Sequence, residues 1–416
     1  MDAKYKDLSM FYKNLWWSLS SEFNLNMNTY SYIDKIKKEK EFNTLIDKII
    51  KYIESFPKEE GKRLLWREKG NKYLEKVVST EGMFKLGVID KDMKNSFIRS
   101  TKDFINASKD FDKDMSYEDI GQAMRNVWIV NMLQQAFGEN IKFSDGVFGY
   151  SMLYPYTDNY LDNTEITIEE KKDFNERFTK RLNGEKVNSI NEHEKQVYRL
   201  VEFIETQFNR ERYPEVYNSL NLIHEGQILS LRQQENKSIP YERDILGISI
   251  EKGGASVIAD GNLIRGEMTK SEELFSYGYG FLLQLGDDLQ DIKDDMENNH
   301  ITIMSQLAGK YELDAVANKL INLTLKVVDD AECFVCKNST ELKELIKNNC
   351  IYMVLFAIVD NKEYFSKDYI DNIEVYLPFT LEYCENLKGN IFNKFKKLNK
   401  EYYGVTVEEI LMYFVE

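Results

Sequence analysis

Five prolines, at positions 57, 155, 214, 240 and 378, are spread through 416 residues, leaving long stretches in which nothing forbids continuous helix. Proline removes a backbone donor and clashes with the preceding turn, so its scarcity permits long helices. Abundant Lys, Glu, Leu and Met then favour them over short strands. Apolar residues recur at helical spacing across 195–207, 214–234, 274–295, 311–335 and 342–359, and no alternating pattern competes with them. With 43% apolar residues the chain can bury a sizeable core, and it reads as all-α.

Charge narrows the range of partners. Fifty-five basic residues stand against 70 acidic ones, a net charge of −15 that repels nucleic acid phosphates and anionic membrane surfaces. The longest uncharged stretches, 126–138 and 274–286, fall short of the roughly 18 apolar residues of a membrane span. Four cysteines make no disulfide framework, and the first residues carry no targeting pattern, so a cytoplasmic location is expected. The polar stretch 109–119 is the best boundary. It divides an N-terminal helical region, 1–115, of no assigned role from a single unit over 116–416. Ser116 and Asp119 form a capping-box pattern that predicts a helix start near Tyr117.

Chemistry concentrates in two acidic clusters. In the first, Gln284, Asp287, Asp288, Asp291 and Asp295 recur three or four residues apart and share one broad helix face. Each like-charge pair at that spacing costs about 0.2–0.5 kcal/mol on an exposed helix, and more where water is excluded. A solvated acidic face would show the same spacing. The preceding residues 274–283, however, are apolar, aromatic and glycine-bearing, which predicts a helix leaving a core and bringing its aspartates to the rim of a cavity. The second cluster holds Asp158 and Asp162 at i and i+4, with Pro155 expected to start or kink the helix just before them. Oxygen-only ligands favour Mg²⁺, Mn²⁺ or Ca²⁺ over zinc. Because Mg²⁺ is usually held by one or two carboxylates plus substrate phosphate oxygens, two facing acidic walls suggest a diphosphate site.

These residues, in this order, resemble the trans-prenyl diphosphate synthases and related class I terpene synthases. Lys252-Gly-Gly-Ala resembles the family's lysine motif, and Gly278-Tyr-Gly the glycine pair before the second aspartate motif. Gln284-x-x-Asp287-Asp288-x-x-Asp291 matches that motif in full, and His224-Glu-Gly-Gln227 resembles a step of the facing helix. The segment from Tyr154 to Asn163 is similar to the first aspartate motif of bacterial large-terpene synthases. The likeness covers roughly residues 120–300. It implies a class I isoprenoid synthase-like helical bundle around a deep apolar cavity, and three Mg²⁺ ions, or Mn²⁺ in their place, binding a prenyl diphosphate. By this likeness Asp158, Asp162, Asp287, Asp288 and Asp291 would hold metal, Lys252 would grip the diphosphate, and Gln227 and Gln284 would contact substrate. Arg243, four residues before Gly247, would sense the diphosphate or else pair with Asp244 or Glu242. A homodimer is compatible with the likeness.

Two departures bear on the reaction. Chain-elongating members carry an arginine pair soon after the first aspartate motif, whereas here no arginine follows Asp162 until Arg177. Gly61-Lys62-Arg63 lies far upstream of its place in elongating enzymes. Both favour a terpene synthase over an elongating synthase that uses isopentenyl diphosphate. The elongating form of the second motif points the other way, and a non-catalytic helical homologue is the third reading. Tyr154, Tyr156, Tyr160, Phe275, Tyr277, Tyr279 and Phe281 are candidates for cavity walls, with only a minority expected there. Other patterns lead nowhere: Cys333-x-x-Cys336 has no second pair and reads as helix, the calcium-loop start at Asp112 fails at Tyr117 and Ala123, and none of the three isolated histidines is given a catalytic role.

Overall fold

The computed structural model describes residues 3–79, 91–163, 165–234 and 243–413. Helices dominate them. In the N-terminal half run α1 (Ala3–Ser18), α2 (Tyr32–Glu54), α3 (Glu60–Ser79), α4 (Lys91–Phe111), α5 (Tyr117–Ala136), α6 (Asp145–Asp162), α7 (Ile168–Leu182) and α8 (Glu192–Gln207). There follow α9 (Pro214–Ser230), α10 (Ile245–Arg265), α11 (Lys270–Gln290), α12 (Ile292–Glu297), α13 (Ile303–Leu307) and α14 (Asp314–Asp329). The last are α15 (Ser339–Asp360), α16 (Lys367–Glu374), α17 (Leu381–Phe395) and α18 (Val407–Tyr413). A two-stranded antiparallel hairpin, Glu401–Tyr402 with Val405–Thr406, is the one sheet among the described residues. The protein is thus all-α, and no described helix is long and apolar enough to cross a membrane.

Local chemistry explains most boundaries. The Ser116 hydroxyl accepts from the Asp119 amide, so α5 starts at Tyr117 as expected. Thr269 and Glu272 complete a reciprocal box at the start of α11. Three expectations need correction. Pro155 neither starts nor ends a helix but sits inside α6, which Ser144 caps eleven residues earlier. The helix expected over 274–295 breaks at Asp291, which ends α11 and leads into α12. The helix expected over 311–335 spans only α14; residues 331–335 have no regular secondary structure, and the Val335 amide donates to the Ala136 carbonyl at 2.9 Å. Cys333 and Cys336 are therefore free thiols outside any helix. Their segment is held by backbone pairing to α5, which residue periodicity does not report.

Two large apolar cores lie side by side. One gathers α11, α14 and α15 with Tyr5, Tyr12 and Trp16 of α1, and the other gathers α5, α6, α8 and α9 with Phe104 and Ile105 of α4. Packing thus runs across the boundary near residue 115. Helix α10 is buried along most of its length and feeds both cores, through Ile250 and Ile258 on one side and Ala259 and Leu263 on the other. A third small core joins Ile53, Phe56 and Trp66 to Leu398 and Ile410.

Glycines set how closely the central helices approach. A Cβ on Gly253 would lie 2.5 Å from the Gly280 carbonyl oxygen, and one on Gly280 would collide with the Gly253 carbonyl. Helices α10 and α11 therefore cross backbone against backbone. On the other side of α10, a Cβ on Gly226 would stand 3.2 Å from the Lys252 Cα, so α9 approaches almost as closely. The three helices bring Gln227, Lys252 and Gln284 to one place.

Candidate active site

The site starts from α6. Asp158 is 7% exposed, and its carboxylate accepts from the Gln227 amide at 2.8 Å. The Lys252 ammonium lies 3.8 Å from its other oxygen. One aspartate thus links α6, α9 and α10, and Gln227 and Lys252 reach it because Gly226 lets α9 settle on α10. Asn159 faces away and donates to Asp119 at 3.1 Å, tying α6 to the start of α5. Asp162 closes α6, and its side chain lies outside the described residues.

The opposing wall is α11. Asp288 is buried and accepts from Ser249 and from Gln284, each at 2.9 Å. Burial, reinforced by the charge of Asp287, holds its carboxyl up at about 7 despite the two hydrogen bonds. Asp287 is exposed to solvent but recessed within the concavity. Desolvation and the nearby Asp158 raise its carboxyl, while the cations Lys252 and Arg125 pull it back. Asp291, at the end of α11, is raised to about 6 by burial and by Asp287 and Asp294. Asp295, one turn on, is raised to about 8 by burial and the charges of Asp288, Asp291 and Asp287, although Thr302 donates to it at 3.2 Å. His300 stands 3.6 Å from Asp295, yet burial first and Lys252 second lower its ring to about 4. Desolvation disfavours charge on both groups, so their contact is not a strong ion pair.

Between the walls lies a small cavity of about 90 Å³. Leu153, Phe178, Leu182, Leu220 and Ile223 make its apolar surface, while Lys252, Gln284 and Asp287 make its polar end. Tyr150 and Tyr154 line it too, the Tyr150 hydroxyl donating to the Ser256 carbonyl at 3.0 Å. Of the seven aromatics considered as walls, only Tyr154 is among the lining residues. Tyr156 donates to Asp112, Tyr160 stacks on His193, Phe275 stacks on Tyr279, and Tyr277 and Phe281 pack against Tyr12. Those aromatics build core. A second, larger apolar hollow of about 670 Å³, reached by Trp128, Tyr279, Met353 and Phe356, has no acidic side chain in its lining.

The structure brings Asp158, Gln227, Lys252, Gln284, Asp287 and Asp288 together, and Asp291 with them through its charge coupling to Asp287. It does not bring Arg243 to the cavity. The Arg243 guanidinium donates to the Arg232 carbonyl, and Asp244, its expected partner, caps α10 and bonds Lys13. Residue 242 lies outside the described residues. Sequence reasoning missed Arg125, in a helix read for its apolar run alone, and Ser249 and Tyr150, on stretches of α10 and α6 that apolar spacing did not single out as helix. Arg125 sits one residue before the uncharged run that opens at Asn126, and it was the one signal available.

Among the described residues, no three His, Cys, Asp or Glu side chains converge closely enough to hold a metal by themselves. The donor set is nonetheless all oxygen, and carboxyls raised by burial and mutual repulsion are what a divalent cation relieves. Such a group suits a hard cation that completes its shell with water and phosphate oxygens. No protein-family model matches the chain, no curated protein matches it, and no solved structure matches it.

Proposed function

We propose that the protein is a class I terpene synthase with the helical-bundle fold of that family, converting an allylic prenyl diphosphate into a terpene hydrocarbon or alcohol plus diphosphate. The observation that carries this reading is the meeting of Asp158, Lys252 and the Asp287, Asp288 and Asp291 carboxyls at one end of a cavity whose other walls are largely apolar. A prenyl diphosphate has this polarity, a multiply charged head on a hydrocarbon tail.

Each residue has a role in that reaction. Asp158 and Asp162 from α6, with Asp287, Asp288 and Asp291 at the end of α11, would hold Mg²⁺. When bound, such a metal would supply positive charge against the leaving diphosphate. Gln227 orients Asp158, while Ser249 and Gln284 orient Asp288. Lys252 contributes a fixed positive charge to the diphosphate. The apolar walls exclude water from the allylic cation, and the ring faces of Tyr150, Tyr154 and Phe178 can stabilise it by about 0.5–2 kcal/mol each, depending on desolvation.

The test is to incubate purified protein and Mg²⁺ with allylic diphosphates of increasing length, with and without isopentenyl diphosphate. Diphosphate release with a hydrocarbon or alcohol from the allylic substrate alone is the expected result. Product that forms only with isopentenyl diphosphate and is a longer linear diphosphate would replace this reading with chain elongation. No turnover under either condition would point to a non-catalytic homologue.

A further inference from the structure

We propose that the substrate's tail is a single isoprene unit, so that dimethylallyl diphosphate is turned over in preference to every longer allylic diphosphate; this rests on the terpene synthase reading above and narrows it. The cavity between the acidic walls holds about 90 Å³. An apolar cavity of about 150 Å³ takes one benzene ring, so this one admits at most one isoprene unit. Its polar end, with Lys252, Gln284 and Asp287, receives the diphosphate, and the tail then points inward towards Phe178, Leu182 and Leu220. No neighbouring space extends it: the larger hollow of about 670 Å³ shares no lining residue with the cavity and is lined mainly by α4, α5 and α15.

The floor is fixed by its own packing. Phe178 and Leu182 lie on α7 and Leu220 on α9, and all three are buried. The Phe178 ring stacks on Phe174, with centroids 5.7 Å apart, and meets His224 edge to face at 4.8 Å. His224 in turn bridges the two helices, its Nε2 lying 2.9 Å from the Thr179 hydroxyl of α7. Arg210 holds the end of α7 by donating to the Leu182 carbonyl at 2.5 Å. A second isoprene unit could enter only if Phe178 left these contacts, and a close-packed interior offers a displaced ring few voids to move into. The segment from Tyr154 to Asn163 resembles that of large-terpene synthases, yet the cavity it borders is too small for a long tail.

Size also limits the outcome of the reaction. A tail this short cannot fold back on itself, so no ring forms. The carbon–oxygen bond breaks with its electron pair leaving on diphosphate. The allylic cation then loses a methyl proton to the diphosphate, giving a conjugated diene, or bonds the oxygen of a water that releases a proton, giving an alcohol.

The test measures diphosphate release and products from purified protein with Mg²⁺ and dimethylallyl, geranyl, farnesyl or longer allylic diphosphates. A kcat/KM for dimethylallyl diphosphate at least tenfold above that for any longer substrate is expected, with an acyclic diene or alcohol as product. Phe178→Ala, which removes a ring from the floor, should shift the ratio of kcat/KM values towards geranyl diphosphate by tenfold or more; a ratio is read because the loss of the ring affects turnover of both substrates. A longer substrate turned over by wild type as efficiently as dimethylallyl diphosphate overturns the size assignment and leaves the synthase reading standing. An unchanged ratio in a folded Phe178→Ala variant overturns the floor assigned to that ring. Release from none of the substrates removes the synthase reading and the size assignment with it. Should the variant not fold, the wild-type ranking of substrates decides.

Discussion

Replacing Asp288 with asparagine tests the electrostatics of the acidic wall without assuming a substrate. Asp288 is buried, and its carboxyl is held at about 7 against an ordinary value of 3.8, chiefly by desolvation. The folded state therefore keeps a proton that the unfolded chain has already lost, and the stability this represents is present in full below about pH 4. It is lost as pH rises through about 7, a linkage on the order of 4 kcal/mol for this one group. Asparagine keeps the shape and some of the hydrogen bonding to Ser249 and Gln284 but does not titrate.

The assay is denaturant unfolding of both proteins in chelator at several pH values. His224 and His300, whose rings are lowered to about 4, act with the opposite sign, adding stability as pH rises towards 6.5. Taking the difference between wild type and variant removes their contribution. Between about pH 5 and pH 8 Asp288→Asn should gain on wild type by roughly 3 kcal/mol, and excess Mg²⁺ should restore wild type more than the variant at the upper end. A difference that stays constant with pH would refute the claim that burial holds this carboxyl protonated. Neighbouring Asp287, Asp291 and Asp295 titrate as a coupled group, so the shape of the curve belongs to the cluster and its change on substitution to Asp288.

Other outcomes follow from the same geometry. Turnover of an allylic diphosphate should vanish in excess chelator and return with Mg²⁺; undiminished turnover in chelator would sink the metal reading. Asp287→Ala and Asp291→Ala should each lower turnover by orders of magnitude while circular dichroism shows unchanged helix content, because removing mutually repelling carboxylates does not unfold a helix. Gly280→Ala should destabilise the protein by about 1–3 kcal/mol in chemical denaturation by pushing α11 off the Gly253 carbonyl of α10, and a neutral substitution would contradict the close crossing.

Residue order alone carried much of this protein. Scarce proline and three- and four-residue apolar spacing identified the α-helices, because a helix is held by contacts within a few residues of its own sequence. Ser116 and Asp119 marked the start of α5 for the same reason. Aspartates at i and i+4 on α11 were legible as one face. What lay beyond the reach of local chemistry was set by packing. Asp291 ends a helix that apolar spacing would have continued, and residues 331–335 leave helix to pair with Ala136. Tyr277 and Phe281 differ little from Tyr154 in local sequence, yet two meet α1 and one meets the cavity, because α1 returns from the far end of the chain to cover that face. Asp158, Gln227 and Lys252 are 69 and then 25 residues apart in sequence, and only the stacking of α6, α9 and α10 joins them. His224 meets the Thr179 hydroxyl, 45 residues away, only once α7 and α9 are packed.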